Sequence, residues 1–349
     1  MQSGNPRIDS VCAAQATPRA LACGVIIVFL RQLIKRQMLR NLLFLLIFSG
    51  LFSTVPLPIL AAAPAAVTTP SARELHTWCN DVTLAIPQIK LKPCVAAELK
   101  PVGVKSVKGR QIMLREFKPA QKPAARVLVV GGIHGDELTS ASIVFRWLDL
   151  LQQPSDAEQY HWRVVPVLNP DGLLAKPPTR VNARGVDLNR NFPTYNWFKD
   201  APRYWQVKTG RDPRRFPGVA PVSEPESRWL HDEISRFKPH VIVSIHAPYG
   251  VLDFDGPVTG IEAPTRFGRL HLNRVGVYPG SLGNFGGLKE GIPVVTLELP
   301  HALKMPTEAE LTHVWQDMQK WLKVNLVERR AVPVITTLDP GTAPEEAMP

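Results

Sequence analysis

The sequence predicts an α/β protein whose mostly parallel β-sheet is covered by helices on both faces. From residue 125 onward, short apolar runs alternate with stretches of helical periodicity, and strands separated by helices build parallel sheets. Runs such as "ARVLVVGG" are also short and apolar enough to be strands buried on both faces. These two observations decide the fold class.

Each predicted element has its own signal. The alternating "GRQIMLREF" and the apolar "ARVLVVGG", "HWRVVPVL", "HVIVSIHA" and "IPVVTLEL" predict strands. Periodicity predicts helices in "ELTSASIVFRWLDLL", "EPESRWLHDEISRF" and "TEAELTHVWQDMQKWLKVNL". The second helix has Pro near its start and acids in its first turn, which complement the helix dipole. Residues 176–223 lack periodicity, and a loop of this length in a compact domain is usually functional.

The chain of 349 residues is predicted to have four parts. Residues 1–63 form an upstream extension and signal peptide, and residues 64–120 form an N-terminal segment. The main α/β domain spans 121–330, and 331–349 form a disordered tail.

A secretory signal is predicted to begin at Met38. Basic residues at positions 36 and 40 flank its start, the stretch 42–60 is apolar, and the alanines at 61–63 suit cleavage. The alternative is a retained membrane anchor, because residues 42–60 are nearly long enough to span a bilayer, although Ser and Pro interrupt them. We therefore expect a periplasmic or secreted protein, which meets a membrane only if the signal stays uncleaved.

The charge of the mature chain is mildly positive. The formal net charge is +11, but six of the 41 Lys and Arg and one of the 30 acids lie in residues 1–63. The remaining 35 basic and 29 acidic residues leave +6, which suits loose attraction to an anionic polymer. No basic stripe interleaved with aromatic residues is present, so a nucleic-acid partner is not expected.

The cysteines divide into two pairs. Cys12 and Cys23 lie in the segment that cleavage would remove. Cys79 and Cys94 are 15 residues apart, and in an exported protein this pair predicts one disulfide that closes a small loop. A zinc site is not expected there, because no Cys or His partner has ligand spacing.

Three ionisable side chains stand at the ends of buried strands: His134, His246 and Glu298. Ligands bind outside the carboxyl ends of parallel strands, so the three groups are expected at one edge of the sheet. Glu137 follows His134 by three residues, across a turn that begins a helix. Two His and one Glu with a fourth position open for water are the catalytic zinc arrangement, so these residues predict one Zn²⁺ per chain. The alternative is a histidine satisfied within the core.

Glu298 ends the otherwise apolar strand "VVTLE". Burial would raise the pKa of its carboxyl and suit it to act as a general base and acid. The alternative is a buried Glu that pairs with an Arg as part of the structure.

The loop 179–193, "TRVNARGVDLNRNFP", is dense in hydrogen-bond donors. The planar guanidinium of arginine suits carboxylates and developing oxyanions, so the loop predicts an anion pocket. The alternative is a solvated polar loop. The donors are Arg180, Asn182, Arg184, Asn189, Arg190 and Asn191.

The motifs "HGDE", "NPDG", "GVDLNRNFP", "SEPES", "SIHAP" and "TLELP", in this order, resemble those of the zinc carboxypeptidases. More narrowly, they resemble the bacterial murein peptide amidase branch. The resemblance runs from about Val127 to Leu322 and implies a mixed eight-stranded sheet between helices, with 121–330 as the catalytic domain. Tyr278 is a candidate for a pocket-lining tyrosine, with a structural Tyr beside a Pro-Gly turn as the alternative. The other implied roles are zinc ligation by His134, Glu137 and His246, general base catalysis by Glu298, a carboxylate clamp by Asn189 and Arg190, and oxyanion stabilisation by Arg180.

The implied activity is hydrolysis of an amide bond next to a free carboxylate, namely the bond between γ-D-glutamate and diaminopimelate in murein peptides. Three alternatives remain open: an ordinary zinc carboxypeptidase on L-peptides, an N-acyl amino acid deacylase, and a non-catalytic wall-binding protein. Asp253 and Asp255 suit the free ammonium of diaminopimelate, but they suit the side chains of Lys or Arg equally well.

Overall fold

The computed structural model describes residues 71–119, 124–256 and 260–328. The predicted signal at 1–63 and the predicted tail at 331–349 lie outside these ranges, so both stay predictions. Within the described ranges no helix is long and apolar enough to cross a membrane.

The N-terminal segment begins with two helices, α1 (Ala72–Ala85) and α2 (Leu91–Ala96). The hydroxyl of Ser71 accepts a hydrogen bond from the backbone N–H of Glu74, whose carboxylate accepts one from the N–H of Ser71. This reciprocal capping fixes where α1 begins. A disulfide between Cys79 and Cys94 joins the two helices.

One sheet of nine strands runs through the described residues, in the order β1-β2-β4-β3-β5-β9-β6-β8-β7. The pairs β4–β3, β3–β5 and β5–β9 at its centre are parallel, and β2–β4 and β9–β6 beside them are antiparallel. The strands are β1 (Lys100–Lys105), β2 (Gln111–Phe117), β3 (Arg126–Val130), β4 (His161–Val165), β5 (Val241–His246), β6 (Val251–Asp255), β7 (Arg266–Phe267), β8 (Leu270–Leu272) and β9 (Val294–Glu298).

The mixed sheet that the resemblance implied is confirmed, with nine strands rather than eight. All five strands predicted from the sequence are present. The sequence pattern missed four strands: β1, then β6, which carries two acids, and β7 and β8, which are only two and three residues long. Strands this short hold too few residues to show a period.

The three long helices predicted from periodicity are all present. They are α3 (Leu138–Leu151), α6 (Pro225–Phe237) and α7 (Glu308–Leu322), and α6 begins with its proline. Four helices were not predicted: α1 and α2 of the N-terminal segment, and the short helices α4 (Pro170–Leu173) and α5 (Trp197–Arg203). Shorter turns complete the chain: 3₁₀ turns at Asp156–Gln159, Leu188–Arg190 and Pro213–Arg215, and π-helical turns at Tyr204–Lys208, Asn284–Lys289 and Lys323–Glu328.

Helices cover the sheet on both faces, as β3 shows. Val127 and Val129 belong to the hydrophobic cluster that contains side chains of α1, α3 and α7. Leu128 and Val130 belong to a second cluster, which contains side chains of α6. Burying one aliphatic side chain contributes about 1.5–3 kcal/mol, so the central strands are held firmly from both sides. Their carboxyl ends are therefore a rigid platform for a site.

Candidate active site

The three strand-end groups predicted from the sequence come together at one edge of the sheet. β3, β5 and β9 are neighbouring parallel strands, so their carboxyl ends share this edge. His246 and Glu298 are paired directly across β5 and β9. His134 lies four residues beyond Val130, the last residue of β3.

The turn that carries His134 is held by a close backbone approach. A Cβ on Gly135 would lie 2.2 Å from the backbone of Gly172 and Leu173 in α4, which leaves room for glycine alone. The N–H of Asn169 also donates to the carbonyl of Gly132 at 2.9 Å. The polar run "GGIHGDE" is thus a packed strand-to-helix turn that leads into α3.

His134, Glu137 and His246 form a candidate metal site. Nδ1 of His134 lies 2.7 Å from Oε1 of Glu137, and Nδ1 of His246 lies 3.1 Å from Oε2 of Glu137 and 3.1 Å from Nδ1 of His134. All three residues are buried, and each offers a ligand atom within 4.8 Å of the others. Two imidazoles and one carboxylate facing one point fit a catalytic zinc ion.

Asp187, to which no sequence pattern assigned a role, orients this cluster. Its buried carboxylate lies 3.0 Å from Nε2 of His134 and accepts a hydrogen bond of 3.0 Å from Nε of Arg180. When Nε2 carries the proton of the imidazole, the lone pair of Nδ1 points to Glu137 and His246. A carboxylate behind a ligating His is the usual outer partner of a metal site. Its place in the motif "GVDLNRNFP" could have marked this aspartate as a site residue, but not its pairing with His134.

The charges of the cluster are strongly coupled. Burial raises the pKa of the Glu137 carboxyl, but the charges of His134 and His246 outweigh it and hold that pKa well below its usual range. Burial likewise opposes the charges of Arg180 and His134 at Asp187, and the pKa of that carboxyl stays well below its usual value. Burial lowers the pKa of His246 and so favours the neutral imidazole that a metal needs.

Glu298 has the surroundings of a proton-transfer group. Its Oε2 is buried and has no hydrogen-bond partner among the described residues, where no ion pair to Glu298 is found either. This disfavours the alternative of a Glu paired with an Arg. Burial, and then the negative charge of Glu137, raises the pKa of the Glu298 carboxyl to about 7. Such a group gives and takes protons near neutral pH.

Arg190 presents a desolvated guanidinium. Its Nε is buried without a hydrogen-bond partner in the part of the chain described, and its Nη1 donates to the carbonyl of Asn189 at 2.6 Å. The ring of Tyr278 lies against it, 4.6 Å from Cζ, while the phenol donates to the carbonyl of Val275 at 3.0 Å. Burial lowers the pKa of Arg190. A buried cation with an unmet donor suits a carboxylate ligand.

The predicted array of loop donors separates into two groups. Arg180, Asn189 and Arg190 line the same cavity as the metal ligands. The expectation that the other three donors also form the anion pocket was wrong, because acids and carbonyls of the protein engage them. Asn182 Nδ2 donates to Glu224 at 2.8 Å and to Glu226 at 3.2 Å, Arg184 pairs with Glu224 at 3.5 Å, and Asn191 Nδ2 donates to the carbonyls of Pro217 and Ala220 at 2.7 and 2.9 Å.

The cavity, about 600 Å³ in volume, also has an acidic side built by β6. Asp253 and Asp255 both line it and are buried. Burial, and then the charge of Asp253, raises the pKa of Asp255 to about 7. A Cβ on Gly283 would lie 1.9 Å from Oδ2 of Asp255, so glycine keeps the space in front of this carboxyl open. The cavity thus combines a buried guanidinium with a buried pair of carboxyl groups.

The chain is similar in sequence to known proteins. The zinc carboxypeptidase family model matches residues 95–254. Murein peptide amidase A of Vibrio campbellii is 33% identical over 215 residues, which are 60% of this chain and 80% of that protein. The chain belongs to the zinc carboxypeptidase family. Zinc is the metal of this family, and His134, Glu137 and His246 fit it.

Two further comparisons show how far this zinc carboxypeptidase resembles other proteins in sequence and in fold. Murein peptide amidase A of Escherichia coli K12 is 38% identical over 128 residues, which are 36% of this chain and 50% of that protein. The solved structure of thrombin activatable fibrinolysis inhibitor superposes with a TM-score of 0.54 over 78% of each chain at 16% identity. The second comparison shows the shared carboxypeptidase-like fold.

Proposed function

We propose that this zinc carboxypeptidase is an exported amidase that hydrolyses the bond between γ-D-glutamate and diaminopimelate in murein peptides. The predicted signal beginning at Met38 supports export to the periplasm or beyond, where this polymer lies. The name of the relatives from Vibrio campbellii and Escherichia coli, murein peptide amidase A, supports the substrate.

One observation carries the proposal: the cavity has a cationic and an anionic recognition group. The buried guanidinium of Arg190 suits the free carboxylate next to the scissile bond. Asp253 and Asp255 suit an ammonium group at the other end of the same residue. Diaminopimelate carries both groups, because its side chain ends in a second amino acid function.

The chemistry is hydrolysis of an amide. A zinc ion held by His134, Glu137 and His246 would supply Lewis acidity, which polarises a carbonyl and lowers the pKa of water. The Glu298 carboxylate, buried at the same edge, takes the proton from the attacking water and returns it to the departing amine. Asp187 holds the imidazole of His134 in the required tautomer.

Arginines position the substrate. Arg190, aided by Asn189, fixes the carboxylate beside the scissile bond, and holding reactants in place lowers the entropy cost of reaction. Arg180 borders the metal ligands, 3.3 Å from Glu137 through Nη1, and stabilises negative charge that develops on the carbonyl oxygen. Tyr278 packs against the Arg190 guanidinium and keeps it in the cavity.

The same acids support a second candidate, a carboxypeptidase that removes C-terminal Lys or Arg from L-peptides. An ammonium or guanidinium on the side chain of the leaving residue would meet Asp253 and Asp255 equally well. The two candidates differ only in what lies on the acyl side of the scissile bond and in the distal carboxylate of diaminopimelate.

A parallel digest tests the proposal. The purified protein is incubated with L-Ala-γ-D-Glu-diaminopimelate and, separately, with an L-peptide ending in Lys, each with and without a chelator, and the products are read by mass spectrometry. Chelator-sensitive release of diaminopimelate is the expected result. Release of Lys alone would move the protein to the second candidate, and cleavage that survives the chelator would contradict a metal-dependent reaction.

A further inference from the structure

The irregular segment that follows α5 forms a basic rim on the active-site cavity. Three cations of this segment, Lys208, Arg214 and Arg215, line the cavity. The acids that line it beside them are Asp212 of the same segment and Asp136. Lys208 has no ion-pair partner within the described residues. The rim therefore carries a net positive charge, in contrast with the acidic side that β6 builds.

The turn that carries Arg214 is fixed to the active-site loop. Asp212 caps the 3₁₀ turn by accepting from the N–H of Arg214 at 2.9 Å, and the indole of Trp205 donates to the Asp212 carbonyl at 2.8 Å. The ring of Trp205 also packs on Phe216, with 5.0 Å between centroids. Phe216 in turn accepts a backbone hydrogen bond of 2.8 Å from Asp187, the residue behind His134. These contacts fix the position of the turn relative to the active-site loop.

Arg214 lines the active-site cavity and contacts the residue beside a metal ligand. Its Nη2 donates to Oδ2 of Asp136 at 2.6 Å, and Asp136 is the residue before the metal ligand Glu137. This contact uses one of the five N–H donors of a guanidinium. The side chain is 57% exposed, so its remaining donors are accessible to a substrate.

A second cavity indicates which end of the substrate meets Arg214. This cavity is about 420 Å³ in volume. It is lined by Arg180 and Arg214 together with Val181, Trp205 and Phe216. Neither Asn189 and Arg190 nor any residue of β6 lines it. The proposed function requires the leaving residue to lie between Arg190 and the acidic pair. The acyl side of the substrate would then extend the other way, along Arg180 and Arg214, which line both cavities.

We propose that Arg214 binds a carboxylate on the acyl side of the scissile bond and makes the enzyme selective for an acidic residue there. This inference rests on the proposed function, because a γ-linked D-glutamate keeps a free α-carboxylate on the acyl side, attached to the third carbon from the scissile carbonyl. An ordinary L-peptide has a backbone amide in this region and no free carboxylate. Lys208 and Arg215 add long-range attraction for the same anion.

The test compares two substrates of the same shape. L-Ala-γ-D-Glu-diaminopimelate is matched with its D-isoglutamine counterpart, in which the α-carboxylate is a neutral carboxamide. The wild-type protein is expected to cleave the acid with a kcat/KM about tenfold above that of the amide, the effect of one hydrogen bond to a charged group. Rising salt should shrink the ratio, because the rim is exposed.

Variants of the zinc-loaded protein locate the effect. Arg214→Gln should lower kcat/KM for the acid about tenfold and change it less than about twofold for the amide, which brings the ratio near one. Arg214→Lys should keep part of the preference, because the charge remains. Lys199→Gln removes an exposed cation of α5 that lines neither cavity, and it should leave the ratio unchanged.

The outcomes separate this inference from the proposed function. Equal cleavage of both substrates by the wild type, or an unchanged ratio in Arg214→Gln, overturns the role of Arg214 and leaves the amidase intact. Failure to cleave either substrate, with release of Lys from an L-peptide, overturns the amidase and this inference together. An equal loss on both substrates in Arg214→Gln would assign Arg214 to holding Asp136 and would also overturn the proposal.

Discussion

Two regions of the molecule build the active site, and they do so differently. The strand-end groups, defined here as His134, His246 and Glu298, stand on or just beyond central strands that are buried on both faces. The loop groups, defined as Arg180, Asp187 and Arg190, stand on an irregular segment held by side-chain hydrogen bonds. In the proposed function, metal binding and proton transfer rest on the sheet edge, the loop binds the substrate carboxylate, and Asp253 and Asp255 of β6 bind the ammonium.

This division teaches how one fold can keep its chemistry and change its substrate. The pairing of β5 with β9 fixes His246 and Glu298, so loop changes leave these two groups in place. His134 lies on the turn beyond β3, which packs on α4, and the loop reaches it only through Asp187. The loop groups depend on braces such as Asn182 to Glu224 and Asn191 to Pro217, which are side-chain contacts that substitution removes easily. The following predictions separate the two regions by experiment.

The largest effect among the loop groups is expected at Arg190. Arg190→Gln removes the buried guanidinium that suits the substrate carboxylate, so kcat/KM should fall about a hundredfold, mainly through KM. Zinc content should stay at one per chain, as metal analysis would show. His246→Ala is the matched control on the sheet, and it should lose the metal together with the activity. Loss of zinc in Arg190→Gln would contradict the division between the two regions.

Asp187 joins the two regions, so its replacement should affect both. Asp187→Asn weakens the hold on His134 and on Arg180, and zinc affinity should fall about 10–100-fold. Titration with a competing chelator measures this change. A variant that binds zinc as tightly as the wild type would show that Asp187 serves the loop alone.

The smallest effect is expected at Asp255 and concerns stability. The pKa of its carboxyl is about 7 in the folded protein, above the ordinary 3.8, so ionisation costs folding energy at pH 8. This cost shrinks as the pH falls below about 7 and vanishes below 3.8. Asp255→Asn should therefore raise the melting temperature at pH 8, on the order of 2–4 °C, and raise it less at pH 5.

Function should respond to Asp255 in the opposite sense. Binding of an ammonium needs the ionised carboxyl, so KM of the wild type should rise as the pH falls below about 7. Asp255→Asn should have a high KM at every pH and lose this dependence. If the variant is more stable but binds the substrate as well as the wild type does, Asp255 does not take part in binding the ammonium.

The strand-end groups were open to prediction from sequence and the loop groups only partly so. A buried strand leaves a periodic apolar pattern, and the rule that carboxyl ends of parallel strands share an edge brings His134, His246 and Glu298 together. The loop has no period, so its residue types suggested an anion pocket but did not separate Arg190, which lines the cavity, from Arg184, which pairs with Glu224.

Contacts across long chain separations were also beyond the sequence. Asp187 meets His134 over 53 residues, and Arg214 meets Asp136 over 78. No local pattern encodes either pairing, because each depends on how the irregular segment folds back over the sheet. The short strands β7 and β8 were not predicted for a related reason, because pairing with neighbouring strands rather than their own residues defines them.

The most direct test of the central claim uses Glu298→Gln, which removes the proposed base while keeping the size of the side chain. Zinc content and cleavage of L-Ala-γ-D-Glu-diaminopimelate are measured on one preparation. One zinc per chain with turnover reduced about 10³-fold is the predicted result, because general acid–base catalysis contributes effects of this size. Turnover at the wild-type rate with zinc bound would contradict the claim that Glu298 transfers the proton at this sheet edge.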